Sequence, residues 1–230
     1  MAAKPMAADT SSPASVHIDV VSDVVCPWCY VGKRRLETAL TLVPDIAVDI
    51  NWRPYFLNPW IPREGIDRQT YLETKFGSAE RYGVIAERIV AAAAMEGLVC
   101  APDKVSRQPN TLDCHRLILW SRSVTDPGVM KQRLMELYFA EGADLTDPKV
   151  LIQAAIDCGM EGDLVRRLLA SDADVDRIEN EANGAKEAGV DGVPCFFFGG
   201  TIIVTGAQSP EYLAHAIERA ARAGDAKMRA

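Results

Sequence analysis

Two cysteines separated by two residues, Cys26-Pro27-Trp28-Cys29, stand where a strand-like run gives way to a helical one, and this juncture constrains the chain more than any other feature. Upstream, Val16, Ile18 and Val20 alternate with His17 and Asp19, the period of two of a half-buried strand. Downstream, Pro27 suits a first helical position, and Leu36, Ala39, Leu40 and Val43 recur at helical spacing until Pro44 ends the pattern. Both thiols therefore fall on the first turn of a helix, with Cys26 at its N-terminus. Free N–H groups and the positive end of the helix dipole stabilise a thiolate there, and such pairs have pKa values of about 3.5 to 7.5 against about 8.5 for a free thiol. The spacing also lets a disulfide form and reopen with little backbone movement. Reversible exchange is the expected chemistry: Cys26 attacks a substrate disulfide and Cys29 resolves the mixed disulfide, or the oxidised pair accepts attack from a substrate thiol. Trp28 adds a large apolar surface between the thiols and is a candidate substrate contact.

Three plainer readings compete. A zinc site needs four ligands, and Cys100, Cys114, Cys158 and Cys195 contain no second close pair, so no metal site is expected. A structural disulfide at this spacing would close too small a loop to restrict the unfolded chain much. Two unrelated buried cysteines are the third reading, since free Cys is commonly buried. Asp23, three residues before the nucleophile, is a candidate proton shuttle, against the plainer role of a helix-entry residue.

Beyond the first helix, Val48, Ile50 and Trp52 alternate with polar residues up to Pro54, so the opening reads as strand, helix, strand. From about Asp67 to Ala188 the signals are almost entirely helical. Tyr82, Ile85, Ala86, Ile89 and Ala93 make one face; Asn110 is a candidate cap for a helix through Trp120; Asp147-Pro148 opens another; and Asp172 or Asp174 opens one ending at Gly189. The apolar run Cys195 to Phe198, the pair Gly199-Gly200 and Thr201 to Val204 read as a buried hairpin, and Ser209-Pro210 starts a last helix. The expected fold is α/β. Its divisions are a disordered N-terminus at 1–15, a first βαβ part at 16–66, a large all-helical insertion at 67–189 and a closing ββα part at 190–230.

With 48% hydrophobic residues among 230, the chain can bury a substantial core. A net charge of −7 gives no basic excess for a phosphate backbone, so nucleic acid is excluded as an expected partner. No run of about 18 uncharged apolar residues is present to span a membrane, and no apolar run resembles a signal-peptide core; a cytoplasmic protein, monomer or homodimer, is expected.

Several segments together resemble the FrnE-like branch of the DsbA-type oxidoreductases, which are thioredoxin-like folds carrying a helical insertion. They are Asp23 to Lys33, Arg53-Pro54-Tyr55-Phe56-Leu57-Asn58-Pro59, Asn110 to Arg116, Gly192-Val193-Pro194 and Thr205-Gly206-Ala207-Gln208. The resemblance implies that Val193-Pro194 is a cis peptide beside the dithiol, with the Val193 backbone pairing with substrate like an added strand. It also implies that His115 lies on an insert helix over the cleft, where it contacts substrate or tunes Cys26, against the plainer reading of a satisfied imidazole. Cys195 departs from the pattern. A third thiol there would intercept mixed disulfides if reactive, whereas an inert buried thiol is the default.

The resemblance implies thiol-disulfide exchange with protein or small-thiol substrates and no cofactor, glutathione being a candidate co-substrate. Two other functions stay open. Kappa-class glutathione transferases and 2-hydroxychromene-2-carboxylate isomerases share the architecture, and Arg53 to Pro59 resembles their tripeptide-binding region, but they typically carry Ser where this chain has Cys26. A chaperone-like binding module, with the dithiol vestigial, is the other.

Overall fold

The computed structural model describes residues 15–228. β1 (Ser15–Ser22) buries Val16, Ile18 and Val20 and turns His17 outward, as its alternation requires. Ser15, grouped by composition with the N-terminal stretch, is the first strand residue, paired with Ala47; residues 1–14 of that stretch lie outside the described residues. α1 (Pro27–Leu42) follows after a four-residue turn, and β2 (Ala47–Pro54) returns parallel to β1, in register from Ser15↔Ala47 to Ser22↔Pro54.

The insertion then begins. β3 (Ile66–Asp67) leads into α2 (Arg68–Phe76), whose cap Asp67 accepts from the Thr70 N–H at 2.9 Å, and α3 (Ala79–Met95) is capped by Ser78. β4 (Arg107–Gln108) pairs antiparallel with β3, so the insertion carries a two-stranded ribbon that no sequence pattern announced. Two residues per strand are too few for period-two alternation to register. α4 (Leu112–Ser121) starts where Asn110 Oδ1 accepts from the Leu112 N–H at 2.9 Å, although the capping position itself is Thr111. α5 (Pro127–Glu136), α6 (Pro148–Asp157) and α7 (Gly162–Leu169) are capped by Asp126, Asp147 and Glu161 respectively. α8 (Val175–Glu187) starts after Asp174, whose φ of 60° makes it a left-handed entry without a side-chain cap bond.

β5 (Cys195–Phe198) and β6 (Ile202–Thr205) form the hairpin through Gly199-Gly200, both at positive φ, and α9 (Pro210–Met228) closes the chain. The sheet order is β2-β1-β5-β6, with β5 antiparallel to β1, so the first strand in sequence lies inside the sheet. One face of β1 (Val16, Ile18, Val20) joins a core that includes Leu36 of α1, Leu213 and Ile217 of α9, and Leu117, Met130, Leu134 and Leu151 of the insertion. On the other side, Val21 packs with Tyr55, Ala185, Val190 and Cys195. This is a thioredoxin-like α/β fold with a helical insertion. Burial by the insertion makes the end of β1, where the cysteines stand, an interior corner.

Candidate active site around the Cys26–Cys29 pair

β1 delivers the chain to this corner, and a tight turn closes with the Cys26 N–H donating to the Asp23 carbonyl at 3.3 Å. Cys26 has extended backbone angles (φ −88°, ψ 114°) and is the N-cap of α1; its carbonyl accepts from the N–H groups of Cys29 (3.0 Å) and Tyr30 (3.2 Å). Both thiols are free, Cys26 4% and Cys29 1% exposed, while Trp28 projects with 40% of its surface accessible. The two sulfurs are not equivalent. A hydrogen bond from the Cys29 side chain draws the Cys26 pKa below its ordinary value against the opposing effect of burial, helped by the N–H groups of Cys29 and Trp28. Burial, and the proximity of Cys26, push the Cys29 thiol well up. Of the two thiols, Cys26 is thus the more readily ionised and Cys29 the one that holds its proton.

The Val193–Pro194 peptide is cis, as the resemblance implied, and the Cys26 Sγ donates to the Val193 carbonyl at 3.5 Å. The Gly206 N–H holds the Pro194 carbonyl at 2.8 Å. The proline ring lies against α1 at Gly32: a Cβ there would stand 2.9 Å from Pro194 Cγ and 3.4 Å from the Phe196 ring. Cys26, Val193 and Pro194 are therefore brought together, with Trp28 at the rim.

Asp23 and His115, read separately from the sequence, form one buried pair. Asp23 Oδ1 lies 3.4 Å from His115 Nε2, without the alignment of a hydrogen bond, and Asp23 Oδ2 accepts from the Leu57 N–H at 2.8 Å. Burial raises the Asp23 pKa, but the His115 side chain and the Leu57 N–H outweigh it and leave the carboxyl below its ordinary range. Burial lowers the imidazole, with Asp23 offsetting only part of that. At neutral pH the pair is carboxylate and neutral imidazole, and the Asp23 charge opposes thiolate formation at Cys26. Cys195 packs among Val21, Tyr55, Ala185 and Val190, and burial pushes its thiol up, which makes it a poor nucleophile.

The structure adds residues that the motifs did not single out. Lys131 of α5 is 1% exposed, and its charge acts on Cys29. The available signal was its place on the apolar face with Met130, Leu134 and Met135. Lys75 of α2 donates to Asn58 Oδ1 at 2.5 Å and feels the Cys26 charge. Beside the dithiol, a cleft of about 450 Å³ is lined by Asp23, Val25, Phe56, Asn58, Arg63 and Thr111, among others. Among the described residues no helix is long and apolar enough to cross a membrane.

Comparison with known proteins agrees with this fold. A family model for a DSBA-like thioredoxin domain matches residues 17–218. The uncharacterized protein YwbO of Bacillus subtilis (strain 168) is 25% identical over 191 residues, 82% of this chain and 90% of YwbO. Among solved structures, the probable DsbA oxidoreductase SCO1869 from Streptomyces coelicolor is 29% identical with a TM-score of 0.81, covering 89% of each chain. A 2-hydroxychromene-2-carboxylate isomerase shares the fold at 15% identity and a TM-score of 0.68, over 92% of this chain and 98% of its own. So does the cytosolic disulfide reductase DsbM from Pseudomonas aeruginosa, at 14% identity and 0.60, over 93% and 98%. By its fold, its cysteine pair and a family match running nearly end to end, the chain belongs to the DSBA-like thioredoxin domain family.

Proposed function

We propose that this protein is a thiol-disulfide oxidoreductase working through Cys26 and Cys29, of the FrnE-like branch and cytoplasmic in its working conditions. The observation that carries the reading is the asymmetry of the pair: a thiolate-favouring Cys26 at a helix N-terminus, supported by a proton-bearing Cys29 within the same first turn. The Cys26 thiolate attacks a substrate disulfide and displaces one sulfur as thiolate. Cys29, once deprotonated, attacks Cys26 Sγ, the mixed disulfide breaks and the second substrate sulfur leaves. Val193, whose carbonyl faces the thiol, and Pro194 and Trp28 receive the substrate backbone. The adjoining cleft is of a size to hold a small thiol such as glutathione as co-substrate.

The fold alone does not separate this reading from an isomerase, because an isomerase shares it. The test is a titration in defined glutathione buffers with trapping of free thiols, on the wild type and Cys26→Ser. A reversible two-electron transition confined to Cys26 and Cys29, abolished in the variant, is expected. Tight glutathione binding with no internal disulfide at any buffer ratio would instead favour the isomerase or transferase chemistry.

A further inference from the structure

Arg35 stands on α1 between the insertion and the loop that follows β6. Its guanidinium donates in two directions, from Nε to Glu96 Oε1 at 2.6 Å and from Nη1 to the Ala207 carbonyl at 2.6 Å. Both charged side chains are largely withdrawn from water, Arg35 18% and Glu96 14% exposed, so solvent screens this pair far less than it screens a surface ion pair such as Arg166–Asp163. Glu96 is itself fixed: it ends α3, and its N–H donates to the Ala93 carbonyl at 3.0 Å. At the other end, Gly206 precedes Ala207 and donates its N–H to the Pro194 carbonyl at 2.8 Å, while the Val193 carbonyl lies 3.5 Å from Cys26 Sγ. The loop is closed on itself as well. The Gln208 N–H donates to the Gly206 carbonyl at 3.0 Å and its Nε2 to the Thr205 carbonyl at 2.9 Å, so a displacement of Ala207 passes to Gly206. An unbroken run of hydrogen bonds and peptide bonds therefore leads from the end of α3, through Arg35, to the cis peptide beside the dithiol.

We propose that Arg35, braced by Glu96, is a positioning residue that sets the Gly206–Ala207 loop, and with it the cis Val193–Pro194 segment, for pairing with the backbone of an extended client, and so favours peptide disulfides over small ones. The inference rests on the disulfide-exchange reading above and adds no bond-making step to it. A planar guanidinium holds two acceptors in fixed directions, which an ammonium on a flexible stem does not reproduce. Without the clamp the loop samples other placements, and affinity for a strand-like client falls by the fraction of molecules still competent to pair with it. Once bound, the client disulfide meets the same thiolate. The groups that favour that thiolate, the Cys29 side chain and the N–H groups of Cys29 and Trp28, belong to α1 and lie outside this run of contacts. A small disulfide needs the thiolate and no backbone pairing.

The test follows thiol loss in full-length reduced protein against the concentration of two oxidants: a short extended peptide whose central cysteine is disulfide-bonded to 2-mercaptoethanol, and 2-hydroxyethyl disulfide. In Arg35→Met the half-saturating peptide concentration should rise about tenfold, while the limiting rate and the rate with the small disulfide stay within about twofold of the wild type. Arg35→Lys should show the same rise. Glu96→Ala should reproduce it and Glu96→Gln, which keeps the acceptor, should largely restore wild-type behaviour; these two leave α1 intact and serve where an Arg35 variant fails to fold. Equal slowing with both disulfides would make Arg35 a general support of the fold, rescue by lysine would reduce its role to charge, and unchanged peptide affinity in Arg35→Met and Glu96→Ala would leave the clamp without effect. Each of these overturns this proposal alone. A wild type whose Cys26–Cys29 pair reacts with neither disulfide overturns the exchange reading and this inference with it.

Discussion

Gly32 is a helix-interior glycine, a position where alanine ordinarily gains up to about 1 kcal/mol. Here the added methyl would meet the Pro194 ring at 2.9 Å, and that ring belongs to the segment held against the dithiol. Overpacking of this kind typically costs about 1 to 3 kcal/mol, so Gly32→Ala should be net destabilising by about 1 to 2 kcal/mol in urea denaturation. A stabilised variant would show that the cis-proline segment is free to retreat. The Asp23–His115 pair makes a prediction in pH. The unfolded chain binds a proton at histidine below about 6.5, whereas the buried imidazole resists it, so stability falls as pH drops from there. The Asp23 contribution is complete above its ordinary 3.8 and is lost as pH falls further, through the depressed folded value. In His115→Gln the decline in melting temperature just below pH 6.5 should flatten while the more acid decline persists. An unchanged profile would assign the upper decline to other groups.

One buried side chain ties α4 to the end of α7 and the turn into α8. Arg116 of α4 is fully buried; its Nε donates to the Ala173 carbonyl at 2.7 Å, and its Nη2 to Leu168 (2.7 Å) and Ser171 (2.6 Å), closing the end of α7 and the turn into α8. Its Nη1 meets Asp113 at 2.7 Å. Arg116→Ala takes the donor from the Ser171 and Ala173 carbonyls and should cost about 3 kcal/mol, with accelerated amide exchange concentrated in 168–175. Uniform acceleration through the whole chain would argue against a local clamp. Element starts of a local kind were legible beforehand: Asp147-Pro148, Ser209-Pro210 and the Gly199-Gly200 turn carry their signal within four residues. What stayed hidden depends on segments far apart in sequence. The β3–β4 ribbon joins Ile66 to Gln108, the Asp23–His115 contact joins the β1 turn to α4, and Lys131 reads locally as one basic residue on an amphipathic helix until the fold buries it against the Trp52 ring of β2.

At the scale of the molecule, one hydrophobic core runs from Val16 and Ile18 of the sheet through Leu36 of α1 and Ile217 of α9 to Leu117, Leu134 and Val165 of the insertion. Sheet and insertion share buried side chains, so they should unfold as one cooperative unit. Tryptophan fluorescence, with Trp28, Trp52 and Trp60 before the insertion and Trp120 within it, should follow the same denaturant curve as far-UV circular dichroism. Two separated transitions would make the stretch 67–189 an independently folding piece. The sheet order has a consequence for biosynthesis. Because β1 is an interior strand, its second neighbour, β5, leaves the ribosome long after it, and the Cys26 thiol waits 167 residues for the carbonyl that receives it. Throughout that interval the nascent chain displays a reactive dithiol beside an unpaired strand edge, open to stray disulfides and to pairing with other chains, until the β5–β6 hairpin seals both at once.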